Sequence, residues 1–210
     1  MPNQSILKKP FRYQYFNATL YLIAVNVGLF ALGYAFPQSK LLMALNPRAV
    51  VSGYVWQIFT YMFAHADLSH LAVNMLGLFF FGTHVERNLG SREFILFYTL
   101  SGILAGVASL VIFAATSAWY TVLLGASGAV FAVLLAFAIL DPKAMIYIYG
   151  IIPVRAPYLV LGYAGIELLS QMFSFRSSVA HLTHLAGFAV AWLYFLVRFG
   201  INPWNRLFRR

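Results

Sequence analysis

Cysteine is absent from the 210-residue chain, so neither a disulfide nor thiolate chemistry is open to it. That absence suits a reducing or an oxidising compartment alike and separates nothing. Charge is nearly as scarce. Asp, Glu, Lys and Arg make up 9% of residues, against about 25% in soluble domains. Hydrophobic residues make up 62%. These two figures exclude an ordinary soluble globule and predict a polytopic membrane protein of one compact domain. Acidic residues number only 5, which leaves a net charge of +9. A charge of that size can mark nucleic-acid binding. Its distribution marks membrane topology instead, and no nucleic-acid partner is expected. Internal repeats and low-complexity segments are also missing.

A crossing helix needs about 20 mostly apolar residues. On that rule we read six spans, at 17–36, 68–85, 94–113, 122–140, 156–173 and 181–199. Lys8, Lys9 and Arg12 precede the first, which could mimic a signal peptide. Its apolar run is longer than a signal core and no soluble domain follows it, so a retained helix is expected. The basic residues alternate in density with the spans. Lys8, Lys9, Arg12, Arg87, Arg92, Lys143, Arg155, Arg198, Arg206, Arg209 and Arg210 fall on one side, and Lys40, Arg48 and Arg176 on the other. The positive-inside rule then places both termini in the cytoplasm.

The outer connections differ in kind. Residues 37–67 form a long external loop with Pro37, Pro47 and Gly53. Long irregular loops in compact proteins are often functional. Its Tyr54, Trp56, Phe59, Tyr61 and Phe63 suit the outer interface, as would an aromatic belt without function. The other two outer connections, around "ATSAWY" and "SFRSSVA", are short.

The second, fourth and sixth spans all begin at the outer face. Each carries polar groups near that end: His70 and Asn74, then Ser127, then His181 and His184. Polar groups in a membrane are costly and turn toward a bundle interior or a wet cavity. Three helices delivering them at one depth make a constellation.

Taken singly, each has a plain reading. A transmembrane serine is usually a small packing residue, and a histidine an interhelical hydrogen-bonder. Gly125 and Gly128 clear the space around Ser127. Ser127 also sits in the first turn of its helix, where free N–H groups and the helix dipole favour negative charge. "GASGA" is not the G-x-S-x-G elbow of the α/β-hydrolases, since Ala129 replaces the last glycine and no strand precedes it. Gly187 and Ala191 are small and four apart, as are Gly128 and Ala132. Such seams bring helices close enough for His184 to reach Ser127. His70 and Asn74 share one helix face and both can donate. His65 and His84 have no matching partners in the sequence, and no carboxylate stands where it would complete a triad. Asp67 lies at a helix start and Glu167 at mid-depth in the fifth span.

"HLAVN", "GASG" and "HLAGFAVA", in that order on the second, fourth and sixth spans, resemble the signature segments of the rhomboid intramembrane serine proteases. "VERNLGS", with Glu86 and Gly90, looks like that family's cytoplasmic motif. The resemblance covers roughly residues 50 to 195. It implies an all-α, rhomboid-like six-helix bundle. By matched position it makes Ser127 the nucleophile, His184 the base, and His70 and Asn74, with the Ser127 N–H, the oxyanion donors. Gly125, Gly128, Phe131 and Gly187 would support the site. It also suggests lateral substrate access beside the fifth span, where Gly162 and Gly165 fit looser packing and ordinary helix packing alike.

The chain departs from the pattern at four places. Trp56-Gln57 stands where Trp-Arg is common, which bears on how the loop is anchored. Phe131 replaces a frequent tyrosine, Thr183 a frequent alanine and Ala191 a frequent glycine.

The expected organisation is a short cytoplasmic segment at 1–16, a membrane protease core at 17–199 and a basic cytoplasmic tail at 200–210. The expected activity is hydrolysis of a peptide bond in or near the outer end of transmembrane substrates by a Ser–His dyad, without cofactor or metal. The expected partners are transmembrane substrates and the lipid bilayer, in a cell or inner membrane. The alternative is a rhomboid-fold protein that binds transmembrane helices without cutting them.

Overall fold

The structure, a computed structural model, describes residues 6–148, 150–173 and 178–208. Residues 1–5 of the expected N-terminal segment, Arg176 with its neighbours in the last outer connection, and Arg209 and Arg210 of the tail lie outside the described residues.

Helix α1, Ala18–Ala35, is apolar all round and buries only Ala18, Thr19 and Asn26. A helix that is apolar on faces it does not pack is built for lipid. The loop that follows is less irregular than its sequence suggested. It folds into α2 (Pro37–Met43), α3 (Pro47–Val51), α4 (Gln57–Thr60) and a 3-10 turn at Tyr61–Phe63. Prolines start α2 and α3, where a missing N–H costs nothing. Helix α5 (Leu68–Gly77) runs through a π segment at Leu78–Gly82 into α6 (Thr83–Leu89). The chain turns at Gly90, whose φ of 84° suits glycine, into α7 (Ser91–Ala115).

Helix α8, Ser127–Leu140, is the centre of the molecule. All its residues but Ser127, Phe131 and Leu140 are buried. The predicted span at 122–140 therefore starts late. Leu123 exchanges backbone hydrogen bonds with Leu45, at 2.8 and 2.9 Å, so the chain is still extended there. At about 1.5 Å per residue, fourteen residues cover only some 21 Å. The helix alone is thus shorter than the roughly 30 Å hydrocarbon core of a bilayer.

The chain is mostly helical, as expected, with one short departure. Strands β1 (Met145–Ile148) and β2 (Ile152–Arg155) pair antiparallel between α8 and α9. Ile146, Tyr147, Ile148, Ile152 and Val154 are β-branched or aromatic, and Gly150 at φ 72° lies in the turn. Helices α9 (Ala156–Phe173), α10 (Ser178–Arg198) and α11 (Pro203–Phe208) complete the chain. By length and composition, Ala18–Ala35, Leu68–Leu89 and Ser91–Ala115 can each cross a membrane. Ser127–Leu140 and Ala156–Ser170 are apolar but shorter.

Polar contacts fix both ends of the bundle. At one end the buried Glu86 carboxylate accepts from the Ala18 and Thr19 N–H groups at 2.6 and 2.9 Å, from the Thr19 hydroxyl, and from Ser91. Glu93 there takes the Phe11 N–H, the Tyr194 hydroxyl and the Arg198 guanidinium. At the other end the loop is tied down by Gln57. Its amide oxygen accepts the Asn46 N–H at 3.0 Å, and its nitrogen lies 3.4–3.5 Å from the Leu41 and Leu42 carbonyls. An amide thus anchors the loop where the family pattern has a charge. Tyr61 and Phe63 are buried, while Tyr54, Trp56 and Phe59 stay at the surface.

Candidate functional site: a serine–histidine pair at a helix start

Ser127 is the first residue of α8. Its position follows from the two glycines that precede and follow it. Gly125 has φ 114°, and a Cβ there would lie 2.6 Å from His70 Nε2. Only glycine satisfies both demands. The Gly125 N–H bonds to the Tyr61 carbonyl at 3.0 Å. The Tyr61 hydroxyl in turn donates to the Gly102 carbonyl at 2.6 Å. The approach to the serine is thereby braced against α7.

His184 arrives from α10, which packs against α8 more extensively than against any other element. The small residues permit it. A Cβ on Gly187 would collide with the Gly128 carbonyl, and one on Gly128 would lie 3.0 Å from Ala105 and 3.1 Å from Thr183. Thr183, one of the departures, finds a hydroxyl partner in Ser109 of α7 at 2.6 Å. The seam places His184 Nε2 2.7 Å from Ser127 Oγ. Phe131, one turn along α8, lies flat on the imidazole, with ring centres 4.2 Å apart and planes 6° apart. The ring plane is held by stacking where a tyrosine would add a hydroxyl.

His70 and Asn74 come from α5. Asp67 caps that helix, accepting the His70 N–H at 2.8 Å and the Ser69 hydroxyl at 2.6 Å. Those bonds hold the Asp67 carboxyl below its ordinary range. His70 Nε2 faces Gly125, two residues before the serine. The Asn74 amide donates to the His70 carbonyl at 2.8 Å, which uses one of its two N–H groups.

Two groups were not foreseen. His65 is buried beside His70, with ring centres 5.1 Å apart, and its Nε2 lies 3.4 Å from the Ala126 N–H. Burial pushes its pKa down to about 4, and the neighbouring His70 and Lys40 add to that effect. The second is Glu167 of α9. The sequence reading put no carboxylate beside His184. The structure puts Glu167 Oε1 3.0 Å from His184 Nδ1 and Oε2 2.5 Å from His181 Nδ1. The Glu167–His184 approach is close but off the direction of the ring N–H, so it is a polar contact and not an aligned hydrogen bond. The signal for Glu167 was its cost. A lone carboxylate inside "LGYAGIELL" demands a polar partner, and two histidines stood in the next span.

The helix carrying Glu167 is thinly packed. An added Cβ at Gly162 or Gly165 meets nothing within 4 Å. Tyr158, Leu161, Ile166, Leu168 and Leu169 are exposed. On the far side a cavity of about 580 Å³ between α1 and the loop reaches His65 and Asp67, without including Ser127.

Comparison with known proteins bears on what this geometry is for. A family model described as Rhomboid domain matches residues 52–201. A second, mitochondrial import receptor subunit Tom6, fungal, matches residues 8–48, a stretch that ends before the serine–histidine pair. RHOMBOID-like protein 12, mitochondrial, of Arabidopsis thaliana is 34% identical over 191 residues, 83% of this chain and 56% of the relative. Rhomboid protein 1, mitochondrial, of Saccharomyces cerevisiae is 30% identical over 193 residues, 85% of this chain and 52% of the relative. Rhomboid protease GlpG of Enterobacter sp. is 29% identical over 179 residues, 82% of this chain and 59% of the relative. The chain spans between half and three-fifths of the length of these relatives. Two of the three are named mitochondrial, which gives the expected cell or inner membrane no support. The match across residues 52–201 takes in α5 through α10, the helices that carry His70, Ser127, Glu167 and His184, and so the chain belongs to the rhomboid family and is an integral membrane protein.

Proposed function

We propose that the protein is an intramembrane serine endopeptidase that hydrolyses a peptide bond in or near the outer end of transmembrane substrates. The observation that carries this reading is the 2.7 Å contact between Ser127 Oγ and His184 Nε2 at a helix start. Relatives named as proteases support it at the family level.

Neutral His184 takes the serine proton through Nε2 as Oγ attacks the scissile carbonyl. Phe131 keeps the imidazole plane. Glu167 is a positioning residue. Its carboxylate beside Nδ1 favours the tautomer with the proton there, which leaves the Nε2 lone pair for the serine. The developing oxyanion is met by the Ser127 N–H, His70 Nε2 and the second N–H of Asn74. His184 then protonates the leaving amine, and water releases the acyl group.

The same reading has six crossings, both termini in the cytoplasm and the serine open to the other face. The excess of basic residues supports that orientation. So does the meeting of the N-terminal segment, the start of α7 and the end of α10 at Glu93 and Arg198.

Purified protein incubated with a transmembrane model substrate tests the proposal. Ser127→Ala and His184→Ala should abolish cleavage while the protein stays folded. Asn74→Ala and His70→Ala should each lower kcat by about 100-fold or more with little change in KM, because an oxyanion donor acts only as charge forms. Undiminished cleavage by Ser127→Ala would overturn the reading. A wild type that binds transmembrane helices without cutting them would favour the non-catalytic alternative.

A further inference from the structure

Glu167, His181 and His184 form a compact donor set. One ligand atom from each lies within 4.8 Å of the other two, and the Nδ1 atoms of both histidines approach the Glu167 carboxylate. His181 and His184 are three apart on α10 and so share a face toward α9. Two imidazoles and a carboxylate are a donor set that zinc accepts, with a fourth position left for water. Donors on a tetrahedral zinc stand about 3.3 Å apart, given Zn–N distances near 2.0–2.1 Å. Here the Glu167 contacts are 2.5 and 3.0 Å. Each contact uses a different carboxylate oxygen, and side-chain shifts of under about 1 Å would bring either to that spacing; thinly packed α9 can supply them. A second observation points the same way. His184 Nδ1 is buried, faces the cluster and lacks an aligned hydrogen bond. A metal is a partner it could take from that direction.

We propose that these three residues form an inhibitory site for a borderline divalent cation such as Zn²⁺. The inhibitory consequence rests on the serine-protease reading; the binding does not. In the competent state the His184 proton sits on Nδ1 and Nε2 is free to accept. A metal bound at Nδ1 needs that lone pair, so the ring proton moves to Nε2. The imidazole stays neutral and no proton is lost. Nε2–H then donates to Ser127 Oγ and cannot accept its proton. The nucleophile keeps its hydrogen, and the 2.7 Å contact persists in an unreactive form. The cation occupies the back of the base and leaves the substrate side open. Inhibition is therefore noncompetitive toward substrate.

The test separates binding from activity. Full-length Ser127→Ala protein, free of any histidine tag, is titrated with Zn²⁺ against a chromophoric chelator, and with Co²⁺ followed by its visible absorption. One equivalent per chain is expected, with the intense bands of four-coordinate cobalt. Adding His181→Ala or Glu167→Gln should weaken binding by about 100-fold or more, beyond the 10- to 100-fold typical of an outer partner. His181→Gln serves where His181→Ala does not fold. On the otherwise unaltered enzyme, Zn²⁺ should lower kcat without raising KM, EDTA should restore it, and His181→Gln should raise the inhibitory concentration at least tenfold relative to its own metal-free rate. Binding that is absent, or unchanged in both variants, would overturn the site. Zn²⁺ that bound there and raised the rate would overturn the inhibitory role. A wild type with no proteolytic activity that still bound Zn²⁺ through these residues would retain the site and sink the protease reading alone.

Discussion

At the scale of single residues, the site depends on groups that the chemistry itself does not use. His65 is the clearest. Its imidazole is buried under the loop, within reach of the Ala126 N–H just ahead of the serine. Folded, it stays neutral down to about pH 4. Unfolded, it titrates near pH 6.5. Between those values the unfolded chain binds a proton that the folded one does not, so stability falls as pH drops through that window and levels off below it. The loss amounts to about 3 kcal/mol at most. His65→Gln keeps a polar side chain and removes the titration. Its Tm should therefore fall less than that of the wild type between pH 7 and 4.5, in one detergent at fixed ionic strength. Parallel Tm profiles would show that His65 does not carry the effect.

At the scale of elements, α8 and α9 are opposites. Helix α8 is locked by glycines that admit its neighbours: Gly128 against Ala105 and Thr183, and Gly187 against the Gly128 carbonyl. The glycines of α9 admit nothing, since Gly162 and Gly165 face open space. There they only loosen the helix. Replacing Gly by Ala in a helix stabilises it by about 1 kcal/mol each where no clash arises. The pair Gly162→Ala/Gly165→Ala should raise Tm and slow cleavage of a helical transmembrane substrate, while sparing a short unstructured peptide substrate. Equal slowing of both would mean that α9 mobility is not what admits the helix. The hairpin before α9 belongs to the same contrast. It exposes Tyr147, Ile151 and Ile152, with Ile151 79% exposed.

At the scale of the whole molecule, the absence of cysteine becomes an experimental opportunity. Single replacements Ser52→Cys, in the loop after α3, and Asn88→Cys, near the end of α6, lie at exposed positions toward opposite ends of the helix Leu68–Leu89. In sealed vesicles with the external face outward, an impermeant maleimide should label the first at once and the second only after permeabilisation. The reverse pattern would invert the orientation. The helices, the serine–histidine seam and the Phe131 stack were legible because apolar length, small-residue spacing and one-turn offsets are local properties. Glu167 was visible as a misplaced charge, but its partner depended on how α9 rotates against α10, which spacing within either helix does not encode. The hairpin at 145–155 was hidden because its apolar residues continued the hydrophobic texture of the spans beside it. The late start of α8 was hidden for the same reason. Leu123 is as apolar as a helix residue, and only its pairing with Leu45, far back in the chain, holds it extended.

The clasp on the first helix sets an order of events in biosynthesis. The N–H groups that open α1 are satisfied by a carboxylate 67 and 68 residues further along the chain. When α1 leaves the ribosome, Glu86 has not yet been made. Until then the leading N–H groups of α1 depend on water or on other partners. Only once α6 has been made can Glu86 close on Ala18 and Thr19. A chain that ends before residue 86 would lack the carboxylate that clasps the start of α1.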